Sequence, residues 1–490
     1  MFSISNTPLF LFLFLIIISS CNSINFPSNR LNNDYSNFSS EFPNQSAHSI
    51  DYIEDILGLN SLYQRESEKN LTVAILDTGI NISHPVFTNL EINKTFYWTD
   101  IRFYTQGSGS YSPIDIDGHG THTASIIYRL NPMLSVYAIN VFNNVSGTAS
   151  TSLQNITFAI EHAANITGNN QPDIISLSLG SSSNGNTYDS AALAVDACQS
   201  KDILVVSSAG NSGLWGKGNV YTPGISNWSI TVGGMESLNK RDPKSSVGPV
   251  FNKRIKPDLI APSIDIEGAD HKNGQYKSLS GTSQSAAIIS GLVSLLKSRF
   301  YDLNATELKK LLYISSVKLP FPESQGEFCF PDNYQGFGIP QEDAFVQMME
   351  QLSPVEFPQK ITLNSTLGEG TTWIRKVQFE KGKIYGWNLK WNPNIPKTKM
   401  IIYSDRADEF GYPKILRTSD DFTRTLSFAS DRDQIVWFAV KMDLSTPNRQ
   451  YLIEIVPLPQ ETFFYQIPVA IFITIIYLLG IFMYIRKRIE

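Results

Sequence analysis

Short apolar segments alternate with helical patterns through the middle of the chain. "LTVAILDTG", "LSVYAINVF", "PDIISLSLG" and "DILVVSSAGN" are apolar runs that end in turn residues, which is typical of buried strands. "SLQNITFAIEHAANI" and "SAALAVDACQSK" lie between such runs and have the spacing of helices. Because strands that alternate with helices indicate βαβ units, residues 49–352 are predicted to form a three-layer α/β domain around a parallel sheet.

The pattern changes to short strands after Pro354. "KITL", "TWIRKVQFE", "KMIIYSD", "QIVWFAVKM" and "YLIEIVPL" follow one another between turns rich in Gly, Pro and Asp. Closely spaced short strands of this kind predict a small all-β sandwich over residues 354–460.

Both ends of the chain carry longer apolar runs. "PLFLFLFLIIISS" is too short to span a bilayer comfortably and fits a signal peptide over residues 1–21, although "IISSC" leaves lipidation of Cys21 open. "IPVAIFITIIYLLGIFMYI", residues 467–485, is long enough to span and is followed by "RKR". We therefore expect one transmembrane helix, a cytosolic tail at 486–490 and an ectodomain that faces the outside or a lumen.

Composition refines this picture. The net charge of -6 gives no reason to expect nucleic acid as a partner, and three cysteines are too few for a disulfide framework. Residues 22–48 form an Asn- and Ser-rich lead-in of low apolar content. Glycosylation motifs spread over the ectodomain fit a secreted glycoprotein and lie at Asn37, Asn44, Asn70, Asn81, Asn93, Asn144, Asn155, Asn165, Asn227, Asn304 and Asn364.

Four polar residues stand at the ends of predicted strands or the starts of predicted helices: Asp77 in "ILDTG", His119 in "DGHGTHTAS", Asn211 in "SSAGNSG" and Ser283 in "SGTS". Sites in open parallel sheets form beyond the carboxyl ends of the strands. A serine becomes a nucleophile when a histidine takes its proton, and a carboxylate orients that histidine. An amide and the first N–H groups of a helix can stabilise the oxyanion.

The same segments resemble the signature blocks of the subtilisin-like serine proteases. "VAILDTGI", "DGHGTHTAS", "SLSLG", "SSAGNSG", "KPDLIAPS" and "LSGTSQSAA" come in the family's order over roughly residues 50–350. The resemblance implies that Asp77 orients the base, His119 is the base, Ser283 is the nucleophile and Asn211 supplies the oxyanion-hole amide.

The resemblance also implies where a substrate binds. Ser178, Leu179 and Gly180 match the strand that pairs with the substrate backbone, and Gly147 is a looser match to the opposite strand. An extended polypeptide between two such edges is bound by β-augmentation.

Other polar residues near these motifs are interpreted as structural. His122 lies three residues after His119 and is predicted to be a core histidine, and Asp115 and Asp117 are predicted to lie in a solvated loop. The chain departs from the family pattern at Ala287, where Pro is usual. It also departs at Ser125 and Ser263, where Gly is usual. The segment between Cys21 and Asp77 is too short for the family's globular prodomain, so we expect unaided folding or a separate helper.

The sequence therefore predicts a membrane-anchored serine endopeptidase that cleaves polypeptides through an acyl-enzyme. It predicts no cofactor and no metal ligands, and structural calcium stays open. The alternative is a non-catalytic surface binding or adhesion protein on a protease fold. The complete set of four groups favours the enzyme, since a binding module has no need of them.

Overall fold

The computed structural model describes residues 48–457, except for 66–68, 89–90, 99–103, 107–114, 116, 146–147, 183–187, 325–329, 351–353, 355–360, 366–371, 392–397, 420–424 and 443–450. The predicted signal peptide, nearly all of the lead-in, the predicted transmembrane helix at 467–485 and the tail lie outside the described residues. None of the helices within the described ranges combines the length and the apolar character needed to cross a bilayer.

The elements are numbered in chain order. The α-helices are α1 (Ile50–Leu57), α2 (Asn60–Tyr63), α3 (His119–Leu130), α4 (Leu153–Asn165), α5 (Ser190–Cys198), α6 (Thr282–Arg299), α7 (Ala305–Ser315) and α8 (Glu342–Met349). Short 3₁₀ helices lie at Pro85–Phe87, Gly168–Asn170, Gln199–Lys201, Gly213–Trp215 and Phe251–Lys253.

The first thirteen strands belong to the N-terminal region. They are β1 (Thr72–Asp77), β2 (Glu91–Trp98), β3 (Tyr104–Gln106), β4 (Ser135–Asn140), β5 (Asn143–Val145), β6 (Thr148–Ser150), β7 (Ile174–Leu177), β8 (Leu204–Ser208), β9 (Ile230–Ser237), β10 (Lys240–Arg241), β11 (Leu259–Pro262), β12 (Ile266–Ala269) and β13 (Tyr276–Leu279).

The remaining strands lie after Pro354. They are β14 (Ile361–Ser365), β15 (Thr372–Phe379), β16 (Ile384–Trp391), β17 (Thr398–Ala407), β18 (Pro413–Thr418), β19 (Thr425–Ala429), β20 (Gln434–Met442) and β21 (Tyr451–Pro457).

A nine-stranded sheet organises the N-terminal region. Its order is β10-β9-β8-β7-β1-β4-β2-β3, with β11 also paired to β9. The pairs that join β9, β8, β7, β1, β4 and β2 are all parallel. All six residues of β1 are buried, and neighbouring side chains of a strand point to opposite faces, so both faces of the sheet are covered there. The prediction of an α/β region with a parallel sheet is confirmed.

Helix α6 is buried all round, as its continuous apolar sequence predicts. Of its 18 residues, all are buried except Ser283, at the start, and Arg299, at the end. Its serine hydroxyls have hydrogen-bond partners: the Ser290 hydroxyl lies 2.8 Å from that of Ser176 in β7, and Ser294 donates to the Gly291 carbonyl at 2.7 Å. The helix is therefore packed on nearly every side along its whole length.

The C-terminal strands form the predicted sandwich. Two four-stranded sheets have the orders β14-β21-β16-β19 and β15-β20-β17-β18. Val377, Phe379, Trp387, Leu389 and Phe438 lie in the core between them. Strands β16, β18 and β19 were not predicted; a glycine interrupts β16 and a proline opens β18.

Candidate active site

Asp77 and His119 meet at the carboxyl end of β1. Asp77 ends β1 and is buried, and His119 begins α3. Nδ1 of His119 lies 2.7 Å from Oδ1 of Asp77. The carboxylate also accepts hydrogen bonds from the Thr78 N–H at 2.8 Å and the Thr123 hydroxyl at 3.1 Å. Because an ionised carboxylate only accepts, Nδ1 carries the proton and Nε2 is left as the basic nitrogen.

Opposing effects set the pKa of His119. Burial lowers it, and the charge and hydrogen bond of Asp77 raise it, with smaller contributions from Asp117 and Asp115. The net result is a pKa above the ordinary histidine value. The site therefore stabilises the protonated form of His119, which is what a histidine base requires.

The structure corrects the prediction for Asp115, which is buried and not solvated. Its side chain is 3 % exposed. It accepts hydrogen bonds from the Thr78 hydroxyl (2.9 Å), the N–H groups of Asp117 (3.2 Å), Gly118 (2.7 Å) and Thr121 (2.8 Å), and the Thr121 hydroxyl (2.6 Å). Asp117 is exposed, as predicted. The polar residues around Asp115 did not indicate that three of the following backbone N–H groups donate to its carboxylate.

Asp115 connects the end of β1 to the first turn of α3. Thr78 donates its hydroxyl to Asp115, and the same hydroxyl accepts the Gly120 N–H at 2.8 Å. Asp77 and His119, the neighbours of Thr78 and Gly120, are therefore tied together by the backbone as well as by their own contact. Asp115 is a positioning residue that sequence analysis missed.

Ser283 lies in the first turn of α6 and is half-buried. Its hydroxyl donates to the Ser178 carbonyl at 2.8 Å, and the Ser178 hydroxyl donates to the Ser283 carbonyl at 2.8 Å. Within the described residues, Ser283 makes no hydrogen bond to His119. Gly281 precedes the helix with φ of 151°, and a Cβ there would lie 3.1 Å from Nδ2 of Asn211. Glycine therefore allows the helix start to approach that amide.

Asn211 has a fixed orientation. Its Oδ1 accepts hydrogen bonds from the N–H and the hydroxyl of Thr282, at 3.0 and 3.1 Å. The Thr282 hydroxyl in turn accepts the Gly210 N–H at 3.1 Å. Since Oδ1 is occupied by two donors, the NH₂ group is the end of the amide that remains for an oxyanion. The adjacent residue on α6 is Ser283.

The segment predicted to pair with the substrate backbone, Ser178 to Gly180, contacts Ser283. Ser178 and Leu179 are buried and Gly180 is partly exposed, directly after β7. Ser178 contacts Ser283, so the structure brings this edge to the helix start. The other predicted edge residue, Gly147, lies outside the described residues, and its role stays a prediction.

Tyr221 was missed by sequence analysis. A Cβ on Gly210 would lie 2.5 Å from the Tyr221 ring, and one on Gly180 would lie 3.1 Å from the Tyr221 Cβ. The ring thus lies between the loops of Asn211 and Ser178, and its hydroxyl is 2.8 Å from the Ser212 hydroxyl. The only indication of Tyr221 in the sequence was its place as an aromatic residue in the predicted turn "YTPG".

The residues interpreted as structural have structural contacts. His122 is fully buried, and its Nε2 contacts the carbonyls of Ile266 and Lys277 at 3.1 Å each, so it braces the β12–β13 hairpin. Burial lowers the pKa of His122 to about 4. Ser125 donates to the His122 carbonyl at 2.7 Å and accepts the Ala269 N–H at 2.8 Å.

The other two departures are also accommodated. The Ser263 hydroxyl donates to Asp242 at 2.9 Å, and Ala287 is fully buried within α6. No set of three or more His, Cys, Asp or Glu side chains in the described part of the chain is arranged to hold a metal ion.

A buried Asp–His pair and a serine at a helix mouth beside an amide are the groups that a serine protease requires. The sequence model of the subtilase family matches residues 68–338, which is more than half of the chain's 490 residues. The chain belongs to the subtilase family and is a serine endopeptidase.

Curated relatives agree with this assignment. Subtilisin DY of Bacillus licheniformis is 30 % identical over 261 residues, which cover 51 % of this chain and 85 % of that protein. A thermostable alkaline protease of Halalkalibacterium halodurans is 30 % identical over 269 residues, which cover 52 % of this chain and 64 % of that protein. Among solved structures, the S41 psychrophilic protease matches with a TM-score of 0.50 at 23 % identity, over 59 % of this chain and 97 % of that chain, which supports the fold alone.

The Asp115 network predicts a positional effect on catalysis. In Asp115→Asn one oxygen becomes an NH₂ group, which cannot accept from Thr121 or Gly118, so the His119 turn shifts. We expect kcat to fall by up to about 100-fold with little change in KM. The matched control is Asp117→Asn, whose amide oxygen can still accept the His119 N–H (3.2 Å) and which removes only a smaller contribution to the His119 pKa, so kcat measured well above that pKa should stay near wild type. Steady-state kinetics on a peptide substrate measures both, and a wild-type kcat for Asp115→Asn would contradict the role.

The raised pKa of His119 predicts the acid limb of the activity profile. The base must be neutral to accept a proton, and a raised pKa keeps it protonated to a higher pH. Activity should therefore fall as pH drops, with a midpoint above about 6.5, the ordinary histidine value. The measurement is kcat/KM against pH, which reports the free enzyme. An optimum near about pH 4 would rule out a histidine base.

Proposed function

We propose that the chain hydrolyses peptide bonds through an acyl-enzyme, with Ser283 as nucleophile, His119 as base and Asp77 as its orienting carboxylate. The observation that carries the proposal is the 2.7 Å contact between Nδ1 of His119 and Asp77, because it leaves Nε2 as the basic nitrogen. Helix α3 begins at His119, and helix α6 begins at Thr282, next to Ser283. The two helices pack against each other.

In the first step the Ser283 oxygen attacks the substrate carbonyl and its proton passes to Nε2 of His119. The Asn211 NH₂ group and the first N–H groups of α6 then donate to the oxyanion, in a place where they need not reorganise. His119 returns the proton to the leaving amine, and a water molecule releases the acyl group by the same route in reverse.

The present contact of Ser283 suggests how substrate starts this sequence. An extended peptide that pairs with Ser178 and Gly180 would donate its N–H groups to the carbonyls of this edge. One of these carbonyls, that of Ser178, now accepts the Ser283 hydroxyl. Substrate pairing would displace the hydroxyl and free it for His119. Catalytic hydrogen bonds commonly tighten only in the complex.

We also assign the site to a membrane-anchored ectodomain outside the cell or in a lumen. The support is the uncharged run at 467–485 followed by "RKR", together with the apolar run near the start.

The glycosylation motifs divide by exposure: Asn70, Asn165 and Asn304 are exposed, whereas Asn155 is 7 % exposed. Asn227 donates to the Tyr188 hydroxyl at 3.1 Å. Glycans fit the exposed three and conflict with the folded state at Asn155.

Ser283→Ala tests the nucleophile. The change removes one oxygen, so the fold should persist, while labelling by a fluorophosphonate is abolished and peptide hydrolysis falls by orders of magnitude. Ser280→Ala is the matched control, because Ser280 is exposed three residues earlier and should still be labelled.

A companion variant separates the nucleophile from the oxyanion donor. Asn211→Ala should still be labelled, with kcat lower by about 100- to 1,000-fold, a magnitude taken from subtilisin and not calculated for this site. Labelling of Ser283→Ala at the wild-type rate would refute Ser283 as the nucleophile, whereas a wild-type chain that is neither labelled nor active on peptides would favour a binding protein on a protease fold.

Membrane topology is tested with a tag after Glu490 in sealed, right-side-out vesicles. External protease should digest peptides that contain Asn211 and Ser283 and spare the tag, because the flanking "RKR" keeps the tail in the cytosol. Vesicles opened with detergent should lose the tag as a control. Loss of the tag from sealed vesicles while the Ser283 peptide survives would show the opposite orientation.

A further inference from the structure

A buried polar cluster joins the β-sandwich to the protease region. Asp258, just before β11, is 1 % exposed. Its Oδ2 accepts hydrogen bonds from Lys256 Nζ at 2.6 Å and from the Thr231 N–H at 2.7 Å. Its Oδ1 accepts the hydroxyl of Tyr412 at 2.7 Å. Tyr412 lies in the turn between β17 and β18, so the sandwich supplies one donor to a carboxylate of the protease core.

The Tyr412 ring packs against an aromatic ring and a lysine of the protease region. Its ring centroid lies 5.4 Å from that of Tyr313 and 4.8 Å from Nζ of Lys309. The turn itself is fixed, since Asp408 accepts the Tyr412 N–H at 2.8 Å. Gly411 has φ of 82°, and a Cβ there would lie 3.1 Å from the Lys309 side chain. The turn thus fits closely against α7.

The cluster buries two lysines with their hydrogen bonds satisfied. Lys256 and Lys309 are both fully buried. Lys309 donates to the carbonyls of Asn227 and Trp228, at 3.1 and 2.8 Å. Burial lowers the pKa of Lys309 to about 7 and that of Lys256 to about 8, and Asp258 opposes the shift of Lys256. Removal of one donor from a buried carboxylate in such a cluster leaves an acceptor without compensation.

Further contacts cross the same boundary. Lys441 of β20 donates to the Ser316 carbonyl at 2.7 Å, and Lys310 of α7 donates to the Asp405 carbonyl. Gln199, at the end of α5, donates to the Glu409 carbonyl. These bonds come from different elements, so the boundary is held at several places and not at Tyr412 alone.

The cluster is connected to the helix that begins with the nucleophile. Strand β11 runs from Leu259, next to Asp258, to Pro262. At its far end, Ser285 of α6 donates to the carbonyls of Ala261 and Pro262, at 3.1 and 3.0 Å. Asp258 therefore lies at one end of the strand that supports the first turn of α6 at the other.

We infer that the β-sandwich is a built-in structural partner of the protease region, which it stabilises by inserting Tyr412 onto Asp258. This assigns to residues 354–460 a role that peptide hydrolysis does not require. It also means that the two predicted domains are not independent folding units, although their sequence patterns are different.

The test compares two tyrosine variants of the full chain in the Ser283→Ala background, which avoids self-digestion. Tyr412→Phe removes the hydroxyl that Asp258 accepts. The matched control Tyr385→Phe removes a hydroxyl in the same sandwich that accepts the Glu380 N–H at 3.0 Å, within one turn. Hydrogen exchange measured by mass spectrometry follows peptides from β8 and β11 in the protease region.

We expect Tyr412→Phe to speed exchange in β8 and β11 by about tenfold or more, and Tyr385→Phe to leave these peptides unchanged. Unchanged β8 and β11 exchange in Tyr412→Phe would overturn the inference. Equal acceleration by both variants would also overturn it, because the effect would then come from general loosening of the sandwich. The readout needs no catalysis, so it is independent of the roles proposed for Asp77, His119 and Ser283.

Discussion

Buried carboxylates that must find donors are the constraint on which the rest of this structure depends. Asp77, Asp115 and Asp258 are each at most 3 % exposed, and an ionised group at that depth is tolerated only when it is hydrogen-bonded or paired. Each draws donors from segments distant in sequence. Asp77 contacts His119 at the start of α3. Asp115 accepts hydrogen bonds from Thr78, just after β1, and from Thr121 in α3. Asp258 accepts a hydrogen bond from Tyr412 of the sandwich.

Of these three carboxylates, Asp77 lies at the candidate site because of where parallel strands end. The carboxyl ends of parallel strands meet at one edge, so Asp77 at the end of β1 and Ser178 after β7 lie on the same side of the sheet as the loop of Asn211 after β8. Ser283 lies in the first turn of a helix that is buried on nearly every side. Burial holds this helix in place. The other groups of the site are positioned by the ends of the strands and by a few polar side chains.

Much of this was predictable where the pattern is local. The apolar runs and turns predict the parallel sheet, and the unbroken apolar stretch predicts the burial of α6. The contact between Asp77 and His119 was predictable because Asp77 ends a predicted strand and both residues lie in motifs that resemble those of the subtilisin-like proteases. The burial of Asp115 did not follow, because charged residues are mostly exposed and five donors converge only once the turn has folded. The reciprocal bonds of Ser178 and Ser283 join residues 105 apart in the chain.

The boundary between the two regions is where sequence pattern is least informative. Tyr412 and Asp258 are 154 residues apart, and nothing in the turn "EFGYPK" distinguishes a docking tyrosine from an exposed one. A change from helical to strand pattern after Pro354 indicates two architectures, and two architectures are usually taken to mean two folding units. Burial of Asp258 argues otherwise: a carboxylate that draws a donor from a second domain makes the first domain's stability depend on that domain's presence.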